Sequence, residues 1–169
     1  MSKRDLKTYL KGLKKKELEE QILDLYERFK PVKTYYNFVF KPNEEKLLDE
    51  AKFKIAREYF PLNGRKAKTR RSVAQKLIKH YIQLGVDPYV VVEIMLFNVE
   101  TAQRYSRKKT IKQEAFYKSM LKSYEELIAF SREYGLYSDF SSRIHQINQE
   151  ANEQGWENTA GFSIAILAT

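Results

Sequence analysis

Ten cations in two short stretches are the residues of this chain best suited to chemistry. Arg65, Lys66, Lys68, Arg70 and Arg71 form the first stretch, and Arg104, Arg107, Lys108, Lys109 and Lys112 the second. Residues 61–84 hold seven Lys or Arg and no acid, while residues 104–118 hold six against the single Glu114. These windows together exceed the whole chain's net charge of +9, so the rest of the sequence is acidic on balance and the positive charge is localised. Fixed cations at this density neutralise phosphate oxygens, and the chemistry they predict is the binding of RNA, DNA or another polyanion. Tyr105 lies within the second stretch and Tyr117 just beyond it, where a ring could stack on a base. No pattern points to base-specific readout.

Other chemistry finds little in the chain. The absence of cysteine removes disulfides, thiolate ligands and a cysteine nucleophile together. His80 and His145 are too few and too far apart in sequence for a metal set. Ser119 and Lys122 have the Ser-x-x-Lys spacing of acylating enzymes, but the companion Ser-Asp-Asn and Lys-Thr-Gly elements are missing. Carboxylates such as Asp49 sit beside Lys46 and Lys52 at helical spacing, the arrangement of surface ion pairs. The six glycines form no phosphate-cradling loop. The expectation is a protein that is not an enzyme and carries no cofactor or metal.

The two basic stretches are 40 residues apart, and a helical hairpin over 72–105 is what would bring them together. Its turn is Leu84-Gly85-Val86-Asp87-Pro88. Gly85 can take the left-handed conformation that ends a helix, Asp87 can cap the next, and Pro88 suits its first position. Val86 and Val91 have the spacing of a hydrophobic staple across the helix start. The incoming arm is amphipathic, with Val73, Ala74, Leu77, Ile78 and Tyr81 on one side. The outgoing arm, 88–105, is apolar nearly all round at first and is predicted to lie centrally. Because the arms double back, the start of one and the end of the other, with their cations, should form one pole. Helix N-termini near Thr69 or Ser72 and near Thr110 would add amide hydrogens to it.

Further helices follow from three-and-four spacing of apolar residues. A short one is capped by Ser2 with Asp5 and stopped by Gly12. A second covers 15–30 through Leu18, Ile22, Leu25, Tyr26 and Phe29. The conflict of Lys14, Lys15 and Lys16 with its positive end is relieved by Glu17, Glu19 and Glu20. Tyr35 to Phe40 is a third helix or an extended link. Asn43 caps a fourth that stops near Pro61, and 60–68 is an exposed loop. A capping box of Thr110 and Gln113 starts a long helix over 111–134, and a last one covers 139–154. The apolar segment 156–169 is predicted to dock back as an extended piece or to enter a partner protein's groove through Trp156, Phe162, Ile164 and Leu167.

The fold class is therefore all-α: about eight helices in consecutive antiparallel pairs, as an irregular bundle or a short helical-pair array. The length of 169 residues suits a single all-helical domain over 1–169. No uncharged stretch approaches the roughly 20 residues a bilayer span needs, and the N-terminus carries no secretory pattern, so the expectation is a cytoplasmic protein without a membrane. An alternative to polyanion binding is a protein interaction module with no nucleic-acid role.

Four stretches also carry a family likeness: Ser2-Lys3-Arg4-Asp5-Leu6-Lys7, Glu44-Glu45-Lys46-Leu47-Leu48 with Ala51-Lys52-Phe53-Lys54-Ile55, Asn63-Gly64-Arg65-Lys66, and Arg70-Arg71-Ser72-Val73-Ala74-Gln75-Lys76. Over roughly the first 110 residues the chain resembles a family of bacterial proteins described only as a domain of unknown function. The resemblance implies a small bacterial cytoplasmic protein and transfers no site.

Overall fold

A computed structural model describes residues 2–167 and contains nine helices and no strand among them. They are α1 (Lys3–Lys11), α2 (Lys15–Arg28), α3 (Lys30–Phe40), α4 (Glu44–Tyr59), α5 (Arg71–Leu84), α6 (Pro88–Lys108), α7 (Glu114–Glu133), α8 (Tyr137–Glu153) and α9 (Thr159–Leu167). The architecture is all-α. Among the described residues no helix is long and apolar enough to cross a membrane.

The chain divides into two compact units that meet in sequence between Asn43 and Glu44. In the first, Ser2 caps α1 through the Asp5 amide, and the Asp5 carboxylate accepts from the Ser2 amide in return. Lys14 occupies the N-cap of α2, where its amide donates to Glu17 at 2.6 Å, and Lys15 and Lys16 lie 3.6 and 4.0 Å from Glu19 and Glu20. The acids thus offset the misplaced lysines one turn on. Phe29 is an extended joint where α2 stops and α3 begins, with Pro31 in its first turn. The aromatic segment is helical, and Tyr26 donates to Asn37 across the α2–α3 pair. Not one of the described residues of this unit is buried.

The second unit has a core. Its centre is α6, which packs against α4, α5, α7 and α8 and buries ten of its own residues. A helix with four neighbours belongs to an irregular bundle, since in an array of pairs each element would meet only those next to it. Gly85 has φ of +82°, and the Asp87 side chain accepts from the Tyr89 amide at 2.7 Å, so the α5–α6 turn is built as its residues dictate. Val86 and Val91 are both buried. Arg143 of α8 binds Glu100 and Glu93 of α6, and Glu93 also meets Lys52 of α4 at 3.6 Å. One chain of ion pairs ties three helices together.

Two expectations are corrected here. The capping box of Thr110 and Gln113 does not form: α7 starts only at Glu114, with Gln113 as an N-cap whose side chain makes no cap bond. The Tyr117 hydroxyl donates to the Ile111 carbonyl at 2.9 Å, which holds 110–113 in tertiary contact instead of a first helical turn. The second correction concerns the C-terminal segment, which is helical over Thr159–Leu167. Trp156 and Phe162 are buried in an aromatic cluster with Phe116, Tyr117 and Tyr124, so neither ring is available to a partner. Gly161 permits the approach of α9 to α7, since a Cβ there would collide with the Leu121 side chain. Ile164 and Leu167 stay exposed. Residues 168–169 lie outside the described residues.

Candidate functional site

The pole is assembled at the end of α4. Tyr59 is buried there, and its burial pushes the phenol well above its ordinary ionisation range. Phe60 follows at the start of the loop and meets Tyr105 of α6 edge-on at 5.8 Å, while Tyr59 meets the same ring at 5.9 Å. The loop and the end of α6 therefore touch through aromatic rings before any charge is considered.

Cations are layered on these rings. The Lys108 ammonium lies 5.7 Å from the Phe60 centroid and the Lys109 ammonium 5.8 Å from that of Tyr105, distances at which a ring face attracts a cation. Beside them is a cleft of about 530 Å³ walled by Lys68 and Thr69 on one side and by Tyr105, Lys109, Thr110 and Gln113 on the other. A smaller hollow of about 320 Å³ lies between Arg57, Glu58, Pro61, Arg65, Lys66 and Lys68. Lys68 lines both.

The loop takes this path because of Glu58. Its carbonyl accepts the amides of Lys68 and Thr69 at 2.9 and 3.1 Å, and its carboxylate takes Arg70 in a two-bonded pair at 2.8 and 2.9 Å. Thr69 sits at φ of +48°, a conformation unfavourable to a β-branched residue and held by these bonds. The hydrogen bond from Arg70 holds the Glu58 carboxyl below the usual glutamate range, against an opposing effect of burial, with a smaller contribution from Lys68. Thr69 and Ser72 do not cap α5. The helix begins at Arg71 with Arg70 as an N-cap that makes no side-chain cap bond.

The ten sequence-predicted cations consequently separate into three sets. Arg65, Lys66, Lys68 and Lys109 line the two hollows, Lys108 stands over the Phe60 ring, and Lys112 is exposed on the segment that follows. None of these six has a carboxylate within ion-pair distance among the described residues. Arg70 and Arg71 turn to acids: Arg70 to Glu58, and Arg71 to Glu126 at 2.6 Å and to Ser123 at 2.7 Å. Arg104 and Arg107 face a different cleft, of about 420 Å³, between α6 and α8. There Arg107 pairs with Glu150, while Arg104 lies over Phe97 and donates to Thr101. Tyr117, offered as a stacking surface, packs against Trp156 and Phe116.

Sequence reasoning missed Arg57 and Phe60. Arg57 occupies the last turn of α4 and so reaches the loop from a helix that otherwise reads as ordinary amphipathic surface. Phe60 is 38 % exposed next to the buried Tyr59, and only its position next to the basic loop marked it. Among the described residues no cluster of three His, Asp or Glu side chains could hold a metal ion. His145 donates from Nδ1 to the Ser141 carbonyl at 2.7 Å within its own helix.

The model of a family described as of unknown function, DUF6155, matches residues 1–168, well beyond the four stretches that suggested the likeness. No curated protein and no solved structure matches the chain.

Proposed function

We propose, since the chain belongs to this family of unknown function and no role comes with the family, that its basic pole holds the phosphate backbone of a single-stranded nucleic acid. The observation that carries the reading is that Lys68 and Lys109 line one cleft with Tyr105, while Lys108 stands over the ring of Phe60, which itself meets Tyr105. Cations that already have a carboxylate partner release no counterions from a ligand, which leaves Arg65, Lys66, Lys68, Lys108, Lys109 and Lys112 as the contacts. The half-exposed Phe60 offers a face for one unpaired base, and such stacking tolerates any sequence. The uncapped first turn of α7 opens at the same cleft through Gln113, where its amides favour an anion. Recognition of this kind reads charge and single-strandedness and leaves base identity unread.

The test is fluorescence anisotropy with a labelled 20-mer of RNA or DNA, single-stranded or duplex, at 50 and 200 mM salt. About six neutralised phosphates give a salt slope near 4 for a single strand, so affinity should fall roughly 300-fold between the two conditions. Exchange of Lys68, Lys108 and Lys109 for Gln should remove about half of that slope. No binding at 50 mM, or binding indifferent to salt, defeats the proposal. A duplex or a polyphosphate bound as tightly as the single strand would reduce it to a general polyanion site.

A further inference from the structure

The cleft of about 420 Å³ between α6 and α8 takes no part in the basic pole, and its size is that of a small-molecule site. Most of the charge around it is already matched. Arg143 holds both oxygens of Glu100 at 3.0 and 3.1 Å and reaches Glu93 as well. Arg107 is paired with Glu150, whose carboxylate also accepts from Gln154. These pairs fix the walls of the cleft.

Two consecutive residues of α6 are left unmatched. Gln103 is only 4 % exposed; its side-chain nitrogen donates to the Ile147 carbonyl at 2.7 Å, and its Oε1 accepts from no protein group. A buried amide oxygen without a donor is the exception in folded proteins, and Gln103 lines the cleft. Arg104, beside it, donates from Nη2 to Thr101 at 2.9 Å and lies 5.3 Å from the Phe97 centroid. The ring steadies the guanidinium, while the rest of its fork meets no carboxylate among the described residues. One cleft therefore holds an unanswered acceptor and an unanswered donor fork, with Phe97 and Ile147 as its apolar lining.

Charge narrows what fits. Because Arg107 and Arg143 have acids of their own, the positive charge open to a ligand is that of Arg104 alone. A phosphate monoester would bring nearly two negative charges up to Glu100 and Glu150, which repel it, whereas one carboxylate matches the one open guanidinium. A guanidinium holds a carboxylate by two parallel bonds. An ammonium on the same ligand supplies the donor that Gln103 lacks and is attracted by both carboxylates of the walls. We infer that the α6–α8 cleft binds a free α-amino acid, with its carboxylate on the Arg104 fork, its ammonium donating to Gln103 Oε1 and its side chain against Phe97 and Ile147. The inference is independent of nucleic-acid binding, since Arg104 is not among the contacts of the pole.

The test is thermal denaturation of the full chain with each of the twenty proteinogenic amino acids at about 10 mM, followed by calorimetric titration of those that stabilise it. A ligand at ten times its dissociation constant should raise the midpoint by about 3–5 °C in a chain of this length. Arg104→Gln changes an exposed side chain, so circular dichroism should stay unchanged while the dissociation constant rises at least about tenfold. Arg104→Lys, which keeps the charge and loses the fork, should fall between that variant and the wild type. The N-acetyl derivative of the bound amino acid, without the charged amine, should bind at least about tenfold more weakly. No midpoint shift with any of the twenty overturns the inference. So does binding that Arg104→Gln leaves unchanged, which would place the site elsewhere, and so does an N-acetyl derivative bound as tightly as its parent.

Discussion

Leu25 in α2 and Leu127 in α7 occupy equivalent places on amphipathic stripes of the same spacing, yet Leu25 is 43 % exposed and Leu127 is fully buried. Local sequence does not separate them. The difference is the number of helices around each: α7 has α6, α8 and α9 against it, whereas within its unit α2 has α3 and the lighter contact of α1 through Gln21 and Tyr9. An apolar stripe becomes a core only when enough neighbours enclose it, and two helices do not suffice.

The sharpest way to break this comparison is to truncate both residues. Leu127→Ala should cost about 3 kcal/mol in urea denaturation. Leu25→Ala should cost under about 0.5 kcal/mol. Comparable losses would mean that 2–43 has a core after all. A smaller effect is expected at the central turn, where Asp87→Ala removes the cap of α6 and should lower stability by about 1 kcal/mol, with the same urea midpoint as readout.

Glu58→Gln should have a structural cost also near 1 kcal/mol, through loss of the two-bonded pair with Arg70. It should at the same time tighten nucleic-acid binding a few-fold by freeing Arg70 and deleting a negative charge at the pole. Because the folded carboxyl titrates lower than the unfolded one, its stabilisation is complete above about pH 5 and is lost as pH falls through the lowered value. An acid titration of the variant should therefore be flatter than that of the wild type at the acidic end. The smallest signal concerns Tyr59 and Tyr124, whose phenols burial pushes upward. Their stabilising contribution is present below about pH 10 and declines as pH rises. Absorbance at alkaline pH should show two tyrosines ionising only as the protein unfolds.

What could be read in advance was whatever a few adjacent residues decide. Gly85, Asp87 and Pro88 specify their turn, and Ser2 with Asp5 specifies a cap, because every partner lies within four positions. The all-α class and the central position of α6 follow from apolar spacing alone. Thr110 and Gln113 matched a cap equally well, but the Tyr117 hydroxyl claims the Ile111 carbonyl and the helix starts later. The basic stretches were visible as charge, whereas the acids that neutralise Arg71 and Arg107 stand 55 and 43 residues away and come into range only through folding. Helix α9 was hidden by its own composition, a short run containing Gly161 and β-branched residues whose helicity depends on packing against α7 and α8.

The order in which α6 acquires its neighbours has a consequence for synthesis. A growing chain releases α4 and α5 ahead of α6. The whole length of α6 follows before α7 and α8 exist to cover it. Until α7 and α8 have emerged, the sides of α6 that they cover lack their partners, and closure of the bundle comes late.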